Sequence, residues 1–233
     1  MTDAERTELD GLPVVREAFA RTVRLISTAA RRAAVLSALV AVDDLADLAE
    51  IEGATSGRLL AQERGMPGMP VSELVFGAPH SAFINAAFAY ARPGVLNRFN
   101  GPDRGAWYAA LAVETALAEV AYHMGRFLGD AGDYRAVVDY SELHASLAGE
   151  FVDLRDARTH PCLSEPPAGY QAGVALAALV RSAGLNGLIY PSVRHAGGTC
   201  FAALWPHAVQ SVAQGGVWRL QWKEAAAPEV SRL

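Results

Sequence analysis

The stretch Leu96-Asn97-Arg98-Phe99-Asn100-Gly101-Pro102-Asp103-Arg104-Gly105-Ala106-Trp107-Tyr108-Ala109-Ala110-Leu111-Ala112-Val113-Glu114-Thr115-Ala116-Leu117-Ala118-Glu119-Val120-Ala121-Tyr122-His123 decides how this chain is read. It opens as a polar loop with two arginines, broken by Gly101, Pro102 and Gly105. A short apolar run follows over residues 106–112, headed by Trp107 and Tyr108, and reads as a buried strand. Glu114 and Thr115 then mark a helix start. Loop, strand and helix in this order aim side chains into a pocket from a rigid base. Glu119 stands out, a carboxylate whose neighbours from Ala116 to Tyr122 are all apolar.

Outward from this stretch, the pattern predicts a mixed α/β (α+β) fold. Residues 71–76 read as a short strand and 78–90 as an apolar helix or strand. After the loop Gly129-Asp130-Ala131-Gly132-Asp133, residues 134–140 read as a strand with a β-branched centre, and 151–154 as another. Residues 156–169 form an irregular, proline-containing crossing. Residues 170–183 read as an alanine-rich helix ended by Gly184. Residues 188–193 and 199–205 read as paired strands joined by His195-Ala196-Gly197-Gly198. Residues 217–222 make a last strand before a polar tail, 223–233.

Toward the N-terminus, Val15, Phe19, Val23 and Ile26 recur at three- and four-residue steps. So do Leu36, Leu39 and Val40, and then Leu45, Leu48 and Ile51, which predicts amphipathic helices over residues 13–64. Such apolar stripes need a partner, either the core or a second copy of the chain, so a homo-oligomer is one expectation. Gly65-Met66-Pro67-Gly68-Met69-Pro70 punctuates the sequence and sets the expected division: a helical region at 1–70, a main domain at 71–222 and the tail.

Composition bounds the function. The 233 residues are 52% hydrophobic and 19% charged, enough for a sizeable core. A net charge of −5 argues against a nucleic-acid binder. Two distant cysteines, Cys162 and Cys200, indicate neither a disulfide framework nor a zinc site. The polar, acidic N-terminus lacks a signal-peptide run, and no apolar run spans a bilayer, so a cytoplasmic protein without membrane contact is expected. Dinucleotide-fold, Walker, H-E-x-x-H and G-x-S-x-G signatures are absent, and the scattered histidines predict no metal site.

The residues that remain are chemically suggestive. Arg98 and Arg104 carry guanidinium forks suited to a diphosphate. Glu119 offers a carboxylate tuned by an apolar helix face. Ser192 sits where a strand meets a glycine turn. Each has an ordinary structural reading: a solvated loop arginine, a core-edge glutamate, a turn serine. A serine hydrolase built on Ser192 and His195 ranks last, because a three-residue spacing across a turn rarely sets the imidazole on the hydroxyl.

Arg98-Phe99-Asn100 with Pro102, then Tyr108, then Ala116-Leu117-Ala118-Glu119, and late in the chain Gly187-Leu188-Ile189-Tyr190-Pro191-Ser192 together resemble the RES-domain family, over roughly residues 71–222. The family is named for its arginine, glutamate and serine. The resemblance implies a compact fold similar to ADP-ribosyltransferases and an NAD-degrading toxin neutralised by a helix-turn-helix (Xre-type) antitoxin. NAD would be the substrate, with no cofactor besides. It implies Arg98, Glu119 and Ser192 as catalytic residues, with Arg98, Tyr108 and Ser192 binding substrate; Phe99 stands where tryptophan is frequent and keeps an aromatic wall. The implied reaction is glycohydrolase or phosphorylase cleavage of the nicotinamide–ribose bond. ADP-ribosyl transfer to a protein and a non-catalytic partner-binding module are the rival readings.

Overall fold

The computed structural model describes Leu9 and residues 11–28, 70–89 and 96–233. Its centre is a seven-stranded sheet: β1 (Val14–Ser27), β2 (Trp107–Ala110), β3 (Arg135–Asp153), β4 (Gly187–Pro191), β5 (Thr199–Ala203), β6 (Val209–Lys223) and β7 (Glu229–Arg232). Helices α1 (Ser81–Ala89), α2 (Val113–Ala131) and α3 (Ala168–Ser182) pack around it. The class is therefore mixed α/β, as the residue pattern predicts. No helix among the described residues is long and apolar enough to cross a membrane.

The strands run β1-β2-β5-β4-β3-β6-β7, and β1 also pairs with β3. Five strands thus close into a ring, β1 to β2 to β5 to β4 to β3 and back to β1. The seam is uneven. β1 and β3 share twelve paired positions, from Val14↔Val152 to Ser27↔Tyr140. β1 and β2 meet at one, Val23↔Ala110. The ring is thus barely closed between β1 and β2, and the cleft described below opens there.

Residues 14–27 correct the helical expectation for the N-terminal region. A step of four, as in Val15, Phe19 and Val23, fits a helix face but is also a multiple of the strand period of two. A register shift between Phe19 and Thr22 then inserts one residue and reverses the alternation. Val15, Phe19 and Ile26 consequently pack into one apolar cluster, with Phe201, Phe151 and Trp107. Val14, Val23 and Leu25 pack into the other, with Leu188 and Val152. The helices expected over residues 29–64 and nearly all of the 65–70 boundary lie outside the described residues.

Smaller differences have similar causes. Residues 71–73 form a short 3-10 turn rather than a strand. The strands expected at 134–140 and 151–154 are two ends of one strand, β3. Its polar middle looks like a loop in sequence, yet it is paired on both edges, by β1 and β6. The polar tail contains β7, an exposed edge strand on β6. The hairpin of β4 and β5 forms as expected, with Ile189 opposite Phe201.

Candidate functional site

A cleft of about 310 Å³ lies beside the β1–β2 seam. Its walls come from β1 (Val23, Arg24, Leu25), from the 97–110 stretch (Arg98, Asn100, Tyr108), from α2 (Glu119, His123), and from Tyr170, Arg194 and Cys200. Of the residues expected from sequence, Arg98, Tyr108 and Glu119 line it directly. Ser192 stands behind Glu119 and reaches the cleft through that carboxylate.

Arg98 sits at the tip of a tight turn closed by Asn97 N–H donating to the Asn100 carbonyl at 3.0 Å. Phe99, next to it, is fully buried and meets the Tyr190 ring edge-on at 4.9 Å. Helix α3 presses on this turn: a Cβ at Gly173 would lie 1.9 Å from the Arg98 carbonyl oxygen, so glycine is required there. The guanidinium is buried too. Its Nη1 donates to the carbonyls of Cys162 (2.6 Å) and Ser164 (3.1 Å), and the group lies over the Tyr170 ring at 5.3 Å. These bonds fix the fork without neutralising it, since a carbonyl carries no net charge.

Tyr108 is locked from both sides. Its oxygen accepts the Phe99 N–H at 2.9 Å while its O–H donates to Asn100 Oδ1 at 2.9 Å. Burial pushes its ionisation well above the usual phenol range, so it stays neutral. What it offers the cleft is a fixed aromatic surface.

Ser192 and Glu119 form the centre of the site. Ser192 Oγ–H donates to Glu119 Oε1 at 2.7 Å. Ser192 Oγ also accepts the backbone N–H groups of Arg194 (3.1 Å) and His195 (3.0 Å). A hydroxyl has one donor and two acceptor positions, and all three are used. The proton is therefore directed at the carboxylate, and Ser192 acts as a positioning residue for Glu119. Cys200 Sγ approaches the same Oε1 at 3.8 Å; burial pushes its thiol far up, so it remains protonated. The His195 ring turns away to Thr115, with Nδ1 2.9 Å from Oγ1, which leaves no serine–histidine pair.

Arg104 belongs elsewhere. It is buried against Glu73 at 2.6 Å, donates to the Leu204 carbonyl at 3.0 Å and covers the Trp205 ring. It is absent from the cleft wall and ties the 71–73 turn to the end of β5.

Two cationic wall residues escaped the sequence reading. Arg194 makes a two-pronged ion pair with Glu165, at 2.6 and 2.9 Å, and stacks on Tyr122. Arg24 comes from β1. Its Nη1 donates to the Tyr108 carbonyl at 3.0 Å, bridging the weakly paired seam, and it lies over the Trp107 ring at 5.0 Å. Burial pulls this guanidinium down to about 10, which still leaves it charged at neutral pH. Among the described residues the cleft thus sets one carboxylate, Glu119, among three guanidinium groups. An anionic ligand with a locally cationic portion fits this distribution.

A protein-family model described as the RES domain matches residues 74–223. No protein of curated function matches the chain. Among solved structures, one titled as the M. tuberculosis MbcT–MbcA toxin–antitoxin complex is similar at 12% identity, covering 92% of this chain and 93% of that one, with a TM-score of 0.44.

Proposed function

The chain belongs to the RES-domain family, and from that premise and the cleft's charge distribution we propose that it consumes NAD by breaking the nicotinamide–ribose bond. The observation that carries the proposal is Glu119, held by Ser192 at 2.7 Å in a cleft whose described wall also carries Arg24, Arg98 and Arg194. In NAD the nicotinamide nitrogen is already cationic. When the bond to the ribose C1′ breaks, its electron pair passes to that nitrogen and nicotinamide leaves neutral, so no general acid is required. Positive charge moves to C1′ and the ring oxygen, as in glycoside hydrolysis. A fixed carboxylate at this point stabilises the transition state more than the ground state. Water then adds through oxygen to C1′ and releases a proton to solvent, or phosphate adds through an anionic oxygen. Water as acceptor makes the enzyme a glycohydrolase, and phosphate makes it a phosphorylase.

The remaining residues fit around this step. Arg98, rigid and charged, holds the diphosphate. Tyr108 supplies a flat surface for the nicotinamide. Ser192 holds Glu119 in one orientation, which avoids reorganisation as charge develops. In the host we propose the role of toxin in a toxin–antitoxin pair, restrained by a helix-turn-helix partner. The direct test is to incubate the full chain with NAD, with and without phosphate, and to identify the products by mass. Free nicotinamide is expected in both cases, with a phosphorylated ADP-ribose product if phosphate is the acceptor. Mass-shifted protein would instead mark ADP-ribosyl transfer, and intact NAD would overturn the proposal.

A further inference from the structure

Among the described residues three guanidinium groups line the cleft, and they are not equivalent. Arg194 is neutralised by Glu165. Arg98 spends Nη1 on two carbonyls, and its ring neighbour is Tyr170. Among the described residues Arg24 donates one hydrogen bond, to the Tyr108 carbonyl, and it lies over Trp107. Among the described residues no carboxylate reaches ion-pair distance of it. A guanidinium has five N–H donors in a planar fork, and among the described residues one of Arg24's has an acceptor.

Half-burying a charge without a counter-charge is costly unless a ligand supplies one. A simple bridge across the β1–β2 seam would need no charge: a neutral amide could donate to the Tyr108 carbonyl equally well. A planar cationic fork with several donors is instead suited to a phosphoryl group. Its source also sets it apart. Arg24 lies on β1, outside residues 74–223 that match the family, so the N-terminal strand contributes a wall of the cleft that the matched region lacks.

We propose that Arg24 is an anion-binding residue of the cleft, gripping a phosphoryl group of a diphosphate-bearing substrate. The identity of that substrate as a dinucleotide rests on the NAD reading above; the anion subsite itself does not. The cationic fork and the carboxylate then divide the ligand, with a phosphoryl group toward Arg24 and the ribose carbon toward Glu119.

Calorimetric titration of the full-length protein with inorganic pyrophosphate and with ADP-ribose tests this, using the parent, Arg24→Gln and Arg24→Lys, with melting temperatures measured alongside. Arg24→Gln is expected to weaken both ligands about 10- to 100-fold, the scale of a lost charge-assisted hydrogen bond. Arg24→Lys should recover part of that loss, because it restores the charge but not the fork. With NAD, Arg24→Gln should raise KM more than it lowers kcat. Parental affinity for pyrophosphate in Arg24→Gln would overturn the inference. So would a loss that Lys fails to relieve and that tracks a lowered melting temperature, since that marks a purely structural bridge. If the parent binds pyrophosphate through Arg24 but takes neither ADP-ribose nor NAD, the anion subsite stands and the NAD reading fails. If NAD is cleaved at equal KM with and without Arg24, the NAD reading stands and this inference fails.

Discussion

Ser192→Ala isolates the positioning role argued for this hydroxyl. The substitution removes three hydrogen bonds at once: the 2.7 Å donation to Glu119 and the acceptances from Arg194 and His195. The bond to the carboxylate is the strong one, worth about 1.5–3 kcal/mol. The two amides lie in a half-buried loop where water replaces much of what is lost, adding roughly 1 kcal/mol. Stability should therefore fall by about 2–4 kcal/mol, or roughly 5–10 °C in melting temperature for a chain of this size. The effect on turnover is separate. With its donor gone, Glu119 samples other rotamers, and kcat should drop on the order of 10- to 100-fold with little change in KM. The assay is steady-state release of nicotinamide from NAD, run well below the melting temperature of each variant. A double-mutant cycle with Glu119→Gln decides whether the serine acts through the glutamate. If it does, Ser192→Ala costs little further turnover once the carboxylate is gone. A full loss in that background, or parental kcat in the single variant, would refute the reasoning.

Two further expectations follow from other parts of the fold. Gly173→Ala places a Cβ 1.9 Å from the Arg98 carbonyl oxygen, against backbone that cannot swing aside. It should cost about 1–3 kcal/mol by thermal melting and weaken diphosphate binding as Arg98 shifts, although residue 173 touches no ligand. Part of the acid sensitivity should come from Glu142, buried where β3 pairs with β6. Burial pushes its carboxyl up, but the Trp218 indole N–H at 2.5 Å and His144 at 2.6 Å outweigh this and hold it below the ordinary value of 4.5. A carboxylate held low in the folded state is protonated first in the unfolded chain as pH falls. Its contribution is complete above about pH 4.5 and is lost as pH drops through the lower folded value. Glu142→Gln should flatten that part of a melting-temperature profile, and an unchanged acid limb would contradict the assignment.

Much of the site was legible in the sequence because it is local. Glu119 stands out as one charge in an apolar helix run, and the Gly197-Gly198 turn marks the loop that carries Ser192. The hairpin of β4 and β5 shows as two apolar runs about a glycine pair. Less legible were features fixed by distant pairing. The four-residue steps of β1 suit a helix as well as a strand, and its bulge hides the alternation. The middle of β3, from Ser141 to Ser146, is polar yet paired on both edges, which only the assembled sheet explains. Arg104 and Arg24 exchanged roles for the same reason. Arg104 shares a loop with Arg98 but turns to Glu73, whereas Arg24, remote in sequence, reaches the cleft because β1 closes the ring beside β2. No local pattern distinguishes two such arginines.

The central claim is that the Glu119 carboxylate is used in the transition state of nicotinamide–ribose cleavage, and Glu119→Gln tests it most directly. The amide keeps the side chain's size and can still accept the Ser192 hydrogen bond, but it removes the charge that faces the oxocarbenium ion. NAD turnover by the folded variant should fall on the order of 10²–10³-fold, about 2.7–4 kcal/mol of barrier, while affinity for ADP-ribose changes far less. A Glu119→Gln protein that melts like the parent and releases nicotinamide at the parental rate would contradict the account.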